Sequence, residues 1–308
     1  TLRYNACSLS NETTIVALLI ITTILWAFSF SLIGEYLAGS VDSYFSVLMR
    51  VGLAALVFLP FLRTRGQSPR TIVLYMLVGA MQLGIMYLLA FRAYLYLTVS
   101  EFLLFTVFTP LYITLIYDLL SGRKLRWGYL LSAALAVLGA AIIRYDKVSD
   151  HFWTGLLLVQ LSNLCFAIGM VGYKRLMEVR PMPQHNAFAW FYVGAFIVAV
   201  AAWFMLGNAQ KLPTTTLQWS VLVWLGVVAS GLGYFMWNYG ATQVDAGTLG
   251  IMNNVHVPAG LLVNLAIWQE QPHWPSFISG ALVILASLWV HRRWVAPHSG
   301  QTADDRRS

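Results

Sequence analysis

AFAWFYVGAFIVAVAAWFML, residues 187–206, runs twenty positions without a charge. A helix of that length rises about 30 Å, which matches the hydrocarbon core of a bilayer. The rest of the chain repeats the pattern. Apolar stretches lie at 16–38, 42–62, 71–91, 95–119, 127–144, 153–173, 187–206, 219–240, 246–268 and 275–294, with short links between them. Charged residues make up only 10% of the chain and the mean hydropathy is +0.69, which excludes an ordinary soluble domain. The fold class read from this is an all-α integral membrane protein with ten transmembrane helices. No soluble domain fits in the loops, so function has to come from groups inside the bilayer.

The formal charge of +7 is a topology signal rather than a sign of nucleic-acid binding. With ten spans and a cytoplasmic N-terminus, fourteen of the nineteen lysines and arginines fall in inside segments and four in outside ones. Arg50, inside helix 2, is the remaining one. That is the asymmetry the positive-inside rule requires, with both termini cytoplasmic. Trp127, Trp153, Trp219, Trp268, Trp274 and Trp294 sit at predicted helix ends, as interfacial rings do. The two cysteines, Cys7 and Cys165, give no disulfide or metal framework, and no cofactor is expected. Residues 1–15 are polar and read as an extension ahead of a natural start at Val16, from a GTG codon. Residues 146–152 read as a linker and 295–308 as a disordered cytoplasmic tail.

An internal repeat is visible at a shift of 148 residues, where Ala93–Ile142 aligns with Ala241–Val290 without a gap. Pro110 falls on Pro258, Tyr129 on Phe277, Ala133 on Ala281 and Leu135 on Val283. Trp26-Ala27 matches Phe166-Ala167 at a shift of 140. Two halves, 16–145 and 153–294, each hold five helices. An odd number inverts the second half, and inverted repeats place a substrate site near the midplane between them.

The five-plus-five layout, Trp26-Ala27, Pro110, Pro258 and Glu270 resemble the drug/metabolite transporter superfamily with its paired EamA-type units. The first half departs from the pattern where Gly122 stands opposite Glu270. Three longer stretches are similar to the biotin-importing members of that superfamily in enteric bacteria. They are FRAYLYLTVSE at 91–101, RPMPQHN at 180–186 and NYGATQVDAG at 238–247. The resemblance implies biotin as transported substrate and secondary active import across the inner membrane.

Polar groups at membrane depth usually face a cavity or a neighbouring helix. On helix 9, Asn253, His256, Gly260 and Asn264 share one face, with Asn254 beside it. Gln160 and Asn163 on helix 6, Ser230, Tyr234, Trp237 and Asn238 around helix 8, Thr22, Trp26 and Ser29 on helix 1, and Gln82, Met86 and Tyr87 on helix 3 form similar stripes. The candidate substrate residues are Trp26, Arg50, Gln82, Asn163, Tyr234, Trp237, Asn238, Asn253, Asn254 and His256. Packing between helices is the alternative for each. Biotin carries a ureido ring, an apolar bicycle and a carboxylate. Asn163, Asn238, Asn253 and Asn254 suit the first, Trp26, Tyr234 and Trp237 the second, and Arg50 or His256 the third. Glu101 and His256 are candidates to carry a coupling proton. Glu35–Arg50 and Arg92–Glu101 are alternatively read as structural ion pairs. Lys174 reads as inside-positive charge or a carboxylate contact.

There is no G-x-x-x-x-G-K-[ST] pattern, so direct ATP drive within the chain is not expected. The scattered histidines and unpaired cysteines do not form a catalytic cluster, which argues against an enzyme. Export of amino acids or other metabolites, and a non-transporting receptor or assembly subunit, remain the rival functions. Membrane lipids are the other expected partners. Ser132, Ala136 and Ala140 give helix 5 a small-residue face compatible with a monomer or a homodimer.

Overall fold

The computed structural model describes residues 2–120 and 150–244, together with 252–253, 259–269 and single positions within 131–142 and 274–289. The described residues are helical and contain no strand. Among the described residues, seven helices are long and apolar enough to span a bilayer. They are α1 (Ala17–Leu37), α2 (Ser43–Phe61), α3 (Pro69–Ala93), α4 (Val99–Leu120), α5 (His151–Val179), α6 (Gln184–Leu206) and α7 (Thr216–Ala241). A shorter apolar helix, α8, covers Ala259–Trp268. The expected fifth and tenth spans, and part of the ninth, lie outside the described residues, as do Asn254, His256, Pro258, Glu270, Gly122 and the helix 5 face at Ser132, Ala136 and Ala140.

The helices begin where their sequences supply caps. Asp42 accepts from the Phe45 backbone N–H at 2.9 Å to open α2. Ser68 accepts from Thr71 ahead of α3, with Pro69 in the first turn, where its missing N–H costs nothing. Thr98 with Glu101, and Thr215 with Gln218, form capping boxes for α4 and α7. At the other end of α7, Lys174 Nζ donates to the carbonyls of Ala241 (3.1 Å) and Val244 (2.7 Å). This gives Lys174 a structural role that its sequence position did not reveal.

Several helices depart from regular α geometry beside the interior. α4 breaks at Val107–Phe108, just ahead of Pro110, which has no N–H to continue the ladder. The freed Phe105 carbonyl is taken by Asn163 Nδ2 (2.9 Å) and Gln160 Nε2 (3.3 Å) from α5. α3 and α7 each contain a π-helical stretch, Ala80–Ile85 and Leu225–Leu232. Such wide turns often occur at functional sites.

The core is built by cross-packing between the two parts of the chain. α1 packs on α7, α2 on α6 and α7, α3 on α5 and α6, and α4 on α5. The outward faces remain apolar, with Ile20, Ile21 and Ile24 on α1 and Phe204 and Met205 on α6 exposed, as lipid contact requires.

Candidate functional site

A cavity lies within this packing, lined by residues of α1, α2, α3, α4, α5 and α7 together with Asn253. Its volume is about 70 Å³. One water needs about 10–15 Å³ on such a measure, so this space holds a few waters, and a larger ligand requires the walls to part.

Arg50 lines the cavity. It is 3% exposed. Its guanidinium lies over the Tyr87 ring, 4.1 Å from the centroid, and Nε donates to Ser230 Oγ at 2.6 Å. The two terminal nitrogens donate to nothing among the described residues. The expected pairing with Glu35 is not formed: the guanidinium is turned toward α3 and α7 instead. Arg92 likewise makes no ion pair with Glu101 among the described residues; it sits over Tyr44 at 5.8 Å, while Glu101 Oε2 accepts from the Thr98 backbone N–H at 2.9 Å. Glu101 is buried but not among the residues lining the cavity.

Aromatic rings form the walls. Tyr87 packs on Tyr234 (5.8 Å), Tyr234 on Trp26 (4.5 Å) and Trp26 on Phe166 (6.2 Å), centroid to centroid. Tyr94 stacks on Phe102 at 4.3 Å. Trp26 is fixed by its Nε1–H, which donates to the Ala229 carbonyl at 3.2 Å.

Two amides also line the cavity. Asn163 gives its N–H to Phe105 and Gln160, and its carbonyl oxygen has no partner among the described residues. Asn253 is 2% exposed, and its Nδ2 is buried without a partner. The Tyr94 hydroxyl is also buried without a partner. Unsatisfied polar atoms of this kind are costly at membrane depth. Two of them around one cavity, with the open Asn163 oxygen beside them, point to a ligand that bonds them.

Gln82, Asn238 and Trp237 do not line the cavity. Gln82 and Asn238 are both fully buried and bond each other twice, Gln82 Nε2 to Asn238 Oδ1 at 3.0 Å and Asn238 Nδ2 to Gln82 Oε1 at 3.2 Å. Trp237 lies behind Trp26 (5.0 Å) with its N–H donated to the Met170 sulfur. Together with the Tyr173–Gln184–Thr242 chain of hydrogen bonds and the Lys174 cap, these residues close the end of the bundle that carries residues 180–183. Asn254 and His256 lie outside the described residues. Sequence reasoning missed Tyr94, Phe91 and Phe102, although Tyr87, Phe91 and Tyr94 recur at helical spacing and so share a face.

The EamA-like transporter family matches residues 13–145 and again 153–292. The biotin transporter of Escherichia coli strain K12 is 84% identical over 292 residues, 95% of this chain and 98% of that protein. A probable biotin transporter of Pseudomonas aeruginosa PAO1 is 55% identical over 276 residues, 89% of this chain and 96% of that one. A solved crystal structure overlays with a TM-score of 0.63 at 16% identity, covering 95% of this chain and 99% of the other, and so shares the fold. Two family matches that together take in nearly the whole sequence, with the relatives' end-to-end similarity, settle the classification: the chain belongs to the EamA-like transporter family.

Proposed function

We propose that this chain imports biotin across the bacterial inner membrane by alternating access. The observation that carries the reading is a single cavity lined by a buried guanidinium, by amide groups with open hydrogen-bonding atoms and by aromatic rings. The terminal nitrogens of Arg50 match a carboxylate that is ionised at neutral pH. The Asn163 carbonyl and the Asn253 amide offer an acceptor and a donor, which is what a ureido edge needs. Trp26, Tyr87, Phe166 and Tyr234 surround the space for an apolar bicycle. Asn254 and His256 follow Asn253 in sequence and complete the polar set in this reading. The names of the relatives that are 84% and 55% identical point to the same substrate.

The proposed architecture is ten spans in two inverted five-helix repeats, 16–145 and 153–294, with both termini cytoplasmic. Two family matches, one to each half, support it. So do the π-helical stretches of α3 and α7, which overlap at the same 148-residue shift as the prolines. The layer around Gln82, Asn238 and Trp237 then lies on the cytoplasmic side of the cavity and must separate for release.

Labelled biotin, given at low concentration to a strain that neither makes nor imports it, is expected to enter only when this chain is present. Uptake should saturate and be competed by unlabelled biotin. No uptake despite confirmed membrane expression would overturn the reading and favour export of another metabolite. Asn163→Ala and Asn253→Ala should each raise the KM about tenfold, the cost of one lost hydrogen bond to a polar ligand in a dry site.

The membrane potential opposes anion entry by about 2.3 kcal/mol per charge per 100 mV. One accompanying proton cancels that term, with His256 or Glu101 as its carrier. Uptake into vesicles should therefore rise when an inward proton gradient is imposed. Uptake indifferent to the gradient removes both residues from that role.

A further inference from the structure

Ser230 is fully buried and does not line the cavity, yet side chains from three other helices converge on it. Arg50 Nε donates to its hydroxyl at 2.6 Å. The Tyr87 and Ser230 hydroxyls share a hydrogen bond at 2.9 Å. The Tyr192 hydroxyl, from α6, donates to the Ser230 carbonyl at 2.7 Å.

The backbone around Ser230 explains why it can serve three partners. It lies in the π-helical stretch Leu225–Leu232 of α7. A wide turn changes which carbonyls are satisfied within the helix, and groups left open inside a membrane need other donors. Trp26 Nε1 takes the Ala229 carbonyl at 3.2 Å, Tyr192 takes that of Ser230, and the Thr22 hydroxyl reaches that of Gly233 at 3.4 Å. α1 and α6 thus pin the turn from both sides, and the hydroxyl of Ser230 is fixed in space.

The effect falls on Arg50. A guanidinium is planar, and its terminal nitrogens form a fork that fits a carboxylate only in one orientation. The Tyr87 ring lies against the Arg50 group, 4.1 Å from guanidinium carbon to ring centroid, and limits its movement on that side. Ser230 limits its rotation by holding Nε. The terminal nitrogens are left as donors with no partner among the described residues, on a residue that lines the cavity.

We propose that Ser230 is a positioning residue that aims the Arg50 fork at the substrate carboxylate. This rests on the reading that Arg50 binds that carboxylate. The test is a cycle of variants in the full-length protein, purified in detergent, with labelled biotin as the probe and the amide of biotin as a neutral competitor. Ser230→Ala should weaken biotin binding about tenfold, as loss of a hydrogen bond to a charged group does. In transport it should raise the KM and leave the maximal rate near that of the unaltered protein. The neutral amide should compete as well against Ser230→Ala as it does against the unaltered protein.

In an Arg50→Lys background, Ser230→Ala should cost less than about twofold more, because lysine has no Nε–H for the serine to hold. Tyr192→Phe, which touches only the backbone carbonyl of residue 230, should give a smaller loss of about threefold with the same selectivity for the acid, since it removes one neutral hydrogen bond. It decides the question if Ser230→Ala fails to reach the membrane. Losses that multiply in the double variant, or equal losses for acid and amide, would mean that Ser230 only holds helices together. That would overturn the proposal and leave the Arg50 reading intact. If Arg50→Lys itself binds biotin as well as the unaltered protein does, the Arg50 reading fails, and the role of Ser230 falls with it.

Discussion

Arg50→Gln is expected to abolish saturable biotin uptake while the protein still accumulates in the membrane. The argument begins with the state of the guanidinium. It is 3% exposed, at membrane depth, and pairs with no carboxylate among the described residues. A charge in that position is expensive. One hydrogen bond donated to Ser230 and the face of Tyr87 offset only part of the cost. In the proposed reading the remaining donors are satisfied when the substrate carboxylate enters. Removing one partner of a buried charge pair typically costs about 2–5 kcal/mol, so affinity should fall at least about thirtyfold and in a dry site by far more.

The same reasoning fixes the sign for stability. Without biotin, Arg50→Gln should unfold at the same temperature as the unaltered protein or above it, because an incompletely compensated charge has been removed. With biotin, the unaltered protein should gain stability by mass action and the variant should gain none. Arg50→Lys should fall between the two, since an ammonium supplies charge but no fork. A variant that loses uptake together with its fold would assign Arg50 a structural role. One that imports biotin normally would remove it from the site.

Much of the fold was legible because a bilayer imposes a length. The stretch 187–206 read from the sequence is the helix Gln184–Leu206, and 42–62 is Ser43–Phe61. The caps that place these ends are local: Asp42, Thr98 and Thr215 each bond a backbone N–H three residues on. The site was legible only in part. Residue type showed that Trp26, Arg50, Asn163, Tyr234 and Asn253 were unusual at membrane depth, and all five line the cavity. It did not show how far each helix is rotated. Gln82 and Asn238 are as unusual as Asn253, but they lie opposite each other and cancel as an amide pair. Glu35 and Arg50 are close along the chain and opposite in charge, but α2 turns the guanidinium toward Tyr87. Tyr94 and Phe102 were overlooked because aromatic residues are common in apolar helices, and only the meeting of α3 with α4 gives them a shared role.

Gly194→Ala and Gly79→Ala should each cost the folded protein about 1–3 kcal/mol, the usual range for forcing atoms into a packed interior, and the double variant more. α3 and α6 cross at these two residues. A methyl group built on Gly79 lands on the backbone carbonyl of Phe191, and one built on Gly194 lands on that of Met76. The contact is reciprocal and involves backbone on both sides, so no side-chain rotation relieves it. Small residues at helix crossings in membranes allow this approach, and close packing there is a main source of association. The crossing also serves the site. Gln82 follows Gly79 on the next turn of α3, and Tyr87 and Tyr94 lie beyond it. Pushing α3 away from α6 would move Tyr87 relative to Arg50 and open the Gln82–Asn238 pair. Thermal unfolding in detergent should therefore shift down, and uptake per molecule should fall as well. Gly172→Ala is the control. Its methyl meets a Val78 side-chain carbon at 3.2 Å on the neighbouring contact between α5 and α3, where a small side-chain shift suffices. Equal losses at Gly172 and Gly194 would show that the bundle tolerates no added methyl anywhere, and would remove the special status of this crossing. A stable Gly79→Ala/Gly194→Ala variant with full uptake would mean that α3 and α6 do not pack this closely in the membrane.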